Sequence, residues 1–141
     1  QRIGADAVID RRQQDVTEAA LELTDGKGVS MVFDPVGGKA GRAAFKALAF
    51  EGKFIVIGYA SGEWVQIALP ETLMKNISLV GAMPVGYSAE QVMVAHQDLL
   101  HHWRQGQLEV TNCQVFDFDD ARSAIAHIAA GKVEGKVVVR L

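Results

Sequence analysis

Short β-branched runs alternate with stretches of helical period from one end of this sequence to the other, and no other feature restricts the fold so strongly. Ala7-Val8-Ile9, Val29 to Asp34, Phe54 to Ile57, Ile77 to Ala82, Val115 to Phe118 and Lys136 to Val139 read as strands. Helix-like segments separate most of them. A hairpin needs only a two-residue turn, whereas a parallel connection needs a crossover of a dozen or more residues, so the alternation argues for parallel pairing. The class is α/β.

From Asp15 to Thr24 the apolar positions Val16, Ala19, Ala20 and Leu23 fall at i, i+3, i+4 and i+7, one face of a helix that Asp25-Gly26 stops. Met31, Val32 and Phe33 in succession give Val29 to Asp34 the texture of a central strand covered on both faces. After the turn Pro35-Val36-Gly37-Gly38, Ala40, Ala44, Ala47 and Leu48 recur at helical spacing, with Gly52 as the C′ residue. Pro70 suits the first turn of a short helix through Met74, and Asn76 stops it. Ser88 with Gln91 is a capping-box signature for a helix to about Gln105, with Val92, Ala95, Leu99 and Trp103 as its buried stripe. Beyond Gly106, Val115-Phe116-Asp117-Phe118 alternates like a half-solvated strand, and a second structural unit is expected there. Ala121, Ala124, Ile125 and Ile128 mark a last helix, which Gly131 ends.

A net charge of -3 over 141 residues provides no clustered cations for a phosphate backbone, so nucleic acid is not an expected partner. No apolar run approaches the roughly 20 residues of a membrane span. The lone Cys113 excludes a disulfide framework and a thiolate zinc cluster within the chain, and fits a reducing compartment. No secretory signal is visible in the first residues. The expected location is cytoplasmic, or mitochondrial if a transit peptide precedes Gln1. His96, His101, His102 and His127 show no His-x-x-x-His spacing, with His101 and His102 expected to point apart on their helix, and no metal ligand is expected among them. Asp117, Asp119 and Asp120 precede a helix, where anions complement the N-terminal dipole.

Five phrases occur in one order across the chain: Gly4-Ala5-Asp6-Ala7-Val8-Ile9-Asp10, Val32-Phe33-Asp34-Pro35-Val36-Gly37-Gly38, Phe54-Ile55-Val56-Ile57-Gly58-Tyr59-Ala60-Ser61-Gly62, Lys75-Asn76-Ile77-Ser78-Leu79-Val80-Gly81 and Gly135-Lys136-Val137-Val138-Val139. Together they resemble the C-terminal portion of zinc-independent, quinone-oxidoreductase-like members of the medium-chain dehydrogenase/reductase family. The resemblance implies a partial Rossmann-type, doubly wound parallel sheet without its first two strands. Residues 1–112 would be part of the NAD(P)-binding domain, and residues 113–141 a segment returning to a GroES-like catalytic domain. In the strand order 3-2-1-4-5-6 such a chain would start at the third strand, so Ala7-Val8-Ile9 would lack its neighbours and either pack irregularly or pair elsewhere. No G-x-G-x-x-G occurs in the sequence.

Ligands of open α/β sheets lie beyond the carboxyl ends of the strands. The resemblance therefore places cofactor contacts at Val36 and Gly37, at Ile57, Gly58, Tyr59 and Ala60, and at Met83, Pro84 and Val85. The glycines would equally serve to turn the chain, and Tyr59 and Tyr87 read as exposed structural tyrosines. The implied cofactor is NADPH and the implied substrate a quinone or an α,β-unsaturated carbonyl compound. This chain by itself would be inactive, and its catalytic residues are not identified. A non-catalytic homologue that binds nucleotide or a partner is the alternative. The resemblance also implies a homodimer through the apolar edge strand Ile77 to Ala82.

Overall fold

The computed structural model describes residues 4–109, 113–131, 133 and 135–141. By contacts the chain divides into two compact units, Gln1–Gly86 and Tyr87–Leu141.

In the first unit Ala7, Val8 and Ile9 form no strand and join neither sheet, as expected of a segment without its neighbours. Helix α1 (Val16–Glu22) follows, with the Asp15 carboxylate accepting the N–H groups of Thr17 and Glu18 at its start. Strand β1 (Val29–Asp34), helix α2 (Gly38–Lys46), strand β2 (Leu48–Val56), helix α3 (Leu69–Met74) and strand β3 (Ser78–Gly81) complete it. The sheet order is β1-β2-β3 and both pairings are parallel. In register, Val32 lies beside Phe54 and Phe54 beside Leu79, while Asp34 lies beside Val56 and Val56 beside Gly81. The three strands thus end at the same edge.

One sheet face carries the core: Phe45 of α2 and Leu48, Phe54 and Ile77 are buried, with Val29, Val32, Val56, Val65 and Ile67 packed around them. Phe45 and Phe54 meet edge-on, with ring centroids 5.8 Å apart. Thr17 ties α1 to α2 by donating its hydroxyl to the Ala43 carbonyl at 2.9 Å.

Three sequence expectations need correction here. First, β1 is an edge strand and β2 the central one. Side chains alternate across a strand, and while Val32 and Asp34 face the packed side, Met31 and Phe33 remain 53% and 66% exposed. The unbroken apolar run was therefore no sign of cover on both faces. Second, α2 stops at Lys46 and Gly52 is not its cap. The Ala47 carbonyl is taken by the N–H of Val29, and the Lys75 ammonium donates to the carbonyls of Lys46 and Leu48. The run Ala47-Leu48 is drawn into the sheet by burial, and Gly52 sits inside β2. Between Val29 and Met31 the pairing advances two residues on β1 but five on β2, from Leu48 to Lys53, with Glu51 at φ 59° in the bulge. Third, Ile77 belongs to the core rather than to the free edge, where Leu79 and Val80 stand half-exposed instead.

The second unit holds α4 (Ala89–Arg104), β4 (Cys113–Asp117), α5 (Ala121–Ala129) and β5 (Lys136–Arg140). Strands β4 and β5 pair in parallel around the α5 crossover. The capping box at α4 forms as read: the Ser88 hydroxyl accepts the N–H of Gln91, and the Gln91 amide oxygen accepts the N–H of Ser88. The stripe Val92, Ala95, Leu99 and Trp103 is not buried, however; helical period shows which residues share a face and not what covers that face. Ala124 is the buried residue of α5, while Ile125 and Ile128 are exposed. The aspartates do not cap α5 with their side chains. Asp117 is ion-paired with Arg140 at 2.6 Å, and neither Asp117 nor Asp120 makes a side-chain cap bond.

Candidate functional site: the carboxyl edge of the three-stranded sheet

Each strand of the first unit runs into a loop at the same sheet edge, and backbone hydrogen bonds join the loops after β1 and β2 and tie the start of the third segment to the end of β2. The Asp34 carbonyl accepts the N–H of Ile57 at 3.0 Å and of Gly58 at 3.3 Å. The Pro35 carbonyl accepts the N–H of Ala60 at 3.0 Å, and the Val36 carbonyl that of Ser61 at 2.9 Å. On the other side, the Val56 carbonyl accepts the N–H of Ala82 at 3.0 Å. A 3-10 turn, Pro84–Gly86, follows directly and is closed by the Gly86 N–H on the Met83 carbonyl. The structure thus brings Val36 and Gly37, Ile57 to Ala60, and Met83 to Val85 onto one edge.

The turn after β1 is shaped by a carboxylate. Oδ1 of Asp34 accepts the N–H groups of Val36 and Gly37, each at 2.9 Å, so the side chain folds the backbone back over itself. Gly37 sits at φ 70° and ψ -158°, a region that a side chain disfavours strongly. A Cβ there would collide with the Glu63 carbonyl. The close approach that glycine permits at this position is therefore made by the protein's own loop. Gly58 likewise faces the Pro35 carbonyl, and both residues draw the two loops together.

The outer surface of this edge is apolar. Val36, Ile57 and Gly58 are partly buried, whereas Ala60, Met83 and Pro84 are exposed and Val85 is 87% exposed. Tyr59 is half-exposed and lies against Trp64, with ring centroids 4.2 Å apart and planes tilted by 34°. Tyr87 is also exposed, as expected of both tyrosines. An apolar surface of this kind, flanked by loop backbone, suits a flat uncharged ring displaced from water better than a charged group.

Sequence reasoning missed Asp34, Gly41 and Trp64. Asp34 carried a usable signal: an aspartate at a strand end followed by Pro-x-Gly is the composition of a turn that the side chain closes. Gly41 and Trp64 carried none. A depression of about 360 Å³ lies beside this edge, bordered by Thr17 of α1, Lys39 and Arg42 of α2, and Glu63, Trp64 and Gln66. Its charges are of mixed sign, and Arg42 is engaged by Glu71. Each partner stabilises the charged form of the other. The hydrogen bond from Arg42 holds the Glu71 carboxyl below its ordinary range, with the Ala68 N–H adding to the effect, and the bond to Glu71 raises Arg42 further.

Among the described residues no three His, Cys, Asp or Glu side chains are grouped to hold a metal ion. The rings of His101 and His102 do not point apart as expected but meet edge-on at 5.8 Å, and each bonds an amide: His102 that of Gln107, His101 that of Gln105. His127 bonds Gln114. Among the described residues no helix is long and apolar enough to cross a membrane.

The sequence model of the family described as zinc-binding dehydrogenase matches residues 3–139. A quinone oxidoreductase-like protein 2 homolog of Nematostella vectensis is 32% identical over 99% of this chain and 39% of its own length. The crystal structure of a quinone oxidoreductase from Pseudomonas syringae superposes with a TM-score of 0.86 at 24% identity, over 99% of this chain and 44% of that one, which speaks for the fold alone. A mycobacterial protein complexed with NADPH superposes with a TM-score of 0.83 at 26% identity, over 98% of this chain and 44% of that one. The chain spans about two fifths of the length of the relatives it matches. The zinc in the family's description has no fitting group of His, Cys, Asp or Glu ligands among the described residues. Matched from Ile3 to Val139 and built on a Rossmann-like parallel sheet, the chain belongs to the zinc-binding dehydrogenase family, and within the medium-chain dehydrogenase/reductases it is similar to quinone oxidoreductase-like proteins.

Proposed function

We propose that this chain supplies the nicotinamide-side wall of the NADPH crevice in an oxidoreductase that transfers hydride to a quinone or an α,β-unsaturated carbonyl compound. The observation that carries the reading is the common edge at which β1, β2 and β3 end, with the loops after β1 and β2 hydrogen-bonded to each other and the start of the segment after β3 bonded to the end of β2. Ligand crevices of doubly wound sheets lie at such an edge. Likeness to a protein complexed with NADPH at 26% identity, and to quinone oxidoreductase-like relatives, supports the choice of cofactor and substrate class. Bound there, NADPH would supply the hydride chemistry.

The chain's own residues bind, orient and exclude water. Val36, Tyr59 and Ala60 would contact one face of a flat ring, and Met83, Pro84 and Val85 would border it. Their apolar side chains would keep water from the transferred hydrogen. No side chain at this edge is assigned a proton-transfer role. On this reading residues 1–112 belong to the nucleotide-binding domain and 113–141 to the catalytic domain, and the edge of β3 pairs with a second copy across a two-fold axis.

Turnover by the natural protein that contains this sequence tests the proposal, with NADPH consumption followed against a simple quinone and an enone. Tyr59→Ala or Val85→Asp is expected to raise the KM for NADPH or lower kcat by about tenfold, the scale of one misplaced contact. NADPH binding without any turnover would support the non-catalytic alternative, and absence of both would remove the proposal.

A further inference from the structure

We infer that Asp34 is the positioning residue of this edge: a buried carboxylate that holds the turn after β1 and, through that turn, the loop after β2. It is 4% exposed, and its Oδ1 fixes the N–H groups of Val36 and Gly37. The carbonyls of Asp34, Pro35 and Val36, which that contact orients, are the ones that receive Ile57, Gly58, Ala60 and Ser61. Four N–H groups of the second loop therefore depend on a span of three residues whose conformation one side chain sets.

The other carboxylate oxygen explains a glycine that the sequence left unexplained. Oδ2 of Asp34 is buried, has no hydrogen-bond partner among the described residues, and lies against Gly41 of α2, where a methyl group would collide with it. An unpaired buried oxygen is costly. Part of the cost is offset by position, because the N-cap Gly37 has no side chain to cap α2, and a negative charge at a helix N-terminus is favourable. Asp34 and Gly41 thus act as a pair, the glycine leaving room for the carboxylate that the turn requires. The importance of this pair for cofactor binding rests on the function proposed above; the coupling of the two loops does not.

Amide exchange of the 15N-labelled chain, without any ligand, separates these roles. The amides read are those of Ala60 and Ser61, which bond to the turn and not to the Asp34 side chain. Asp34→Ala is expected to speed their exchange by about tenfold or more, while Phe54 and Ile55 within β2 keep their protection. Asp34→Asn, which retains an acceptor for Val36 and Gly37, should restore most of it, and Gly41→Ala should reproduce the alanine variant by driving the carboxylate away. Unchanged Ala60 and Ser61 exchange in a folded Asp34→Ala overturns the inference, and so does an equal loss of protection over strand and loop in every variant. If Asp34→Ala fails to fold, the Gly41→Ala and Asp34→Asn pair decides: loops released in the first and held in the second support the inference, and identical behaviour refutes it. A later failure to find NADPH at this edge would leave the exchange result standing.

Discussion

At the scale of single residues, two contacts lend themselves to measurement. Gly37 combines a positive φ with a neighbouring carbonyl where its Cβ would be, so Gly37→Ala should lower unfolding stability by about 2 to 3 kcal/mol in urea titration. A loss below a few tenths would mean that the loop after β2 moves aside freely. Glu71 has a folded-state pKa below its ordinary value, first through the Arg42 hydrogen bond and then through the Ala68 N–H. A depressed carboxyl contributes stability that is fully present above its unfolded pKa and is lost as pH falls through the folded one. The melting temperature of the wild-type chain should therefore drop more steeply below the carboxylate range than that of Glu71→Gln, and parallel profiles would show that the pair is screened out by solvent. Neither feature was read from the sequence. A glycine in a turn is legible, but whether a ligand or the chain itself uses the space depends on a loop more than 20 residues away, as Glu63 does here.

Elements were legible where local chemistry decides them and less so where tertiary cover does. The short helix with Pro70 in its first turn, its stop at Asn76 in a positive φ, and the Ser88–Gln91 box all depend on neighbours in sequence and occur as read. Removing the cap by Ser88→Ala should cost about 1 kcal/mol, visible as a loss of helical signal and of α4 amide protection. The start of β2 was misread because Ala47 and Leu48 fit a helix and a buried strand equally well, and the bond from Val29 to the Ala47 carbonyl settles it. Phe54 tests the resulting core. It is fully buried between Phe45 and the rest of the cluster, so Phe54→Ala should destabilise the first unit by about 3 to 5 kcal/mol in urea or heat. The apolar stripes of β1 and α4 were found in sequence and yet remain open, since an amphipathic pattern names a face without naming its partner.

At the scale of the whole molecule, parallel pairing was legible in the alternation of strands and helices, whereas the order of strands was implied by the family resemblance, and the apolar run of β1 by itself pointed wrongly to the centre of the sheet. What the residue pattern did not reveal is how the carboxyl edge is held, since Asp34 reads simply as the last residue of a strand. The free edge of β3 bears on assembly: Leu79 is accessible there, so Leu79→Lys should shift a dimer toward monomer in light scattering, whereas equal masses for variant and wild type would argue against this edge. The most direct test of the central claim is the structure of the natural protein containing this sequence with NADPH bound. The nicotinamide ring is predicted within about 4 Å of Val36, Tyr59, Ala60, Met83 or Val85. A ring seated at the opposite strand ends, near Val29 and Ser78, or on another surface altogether, would contradict it.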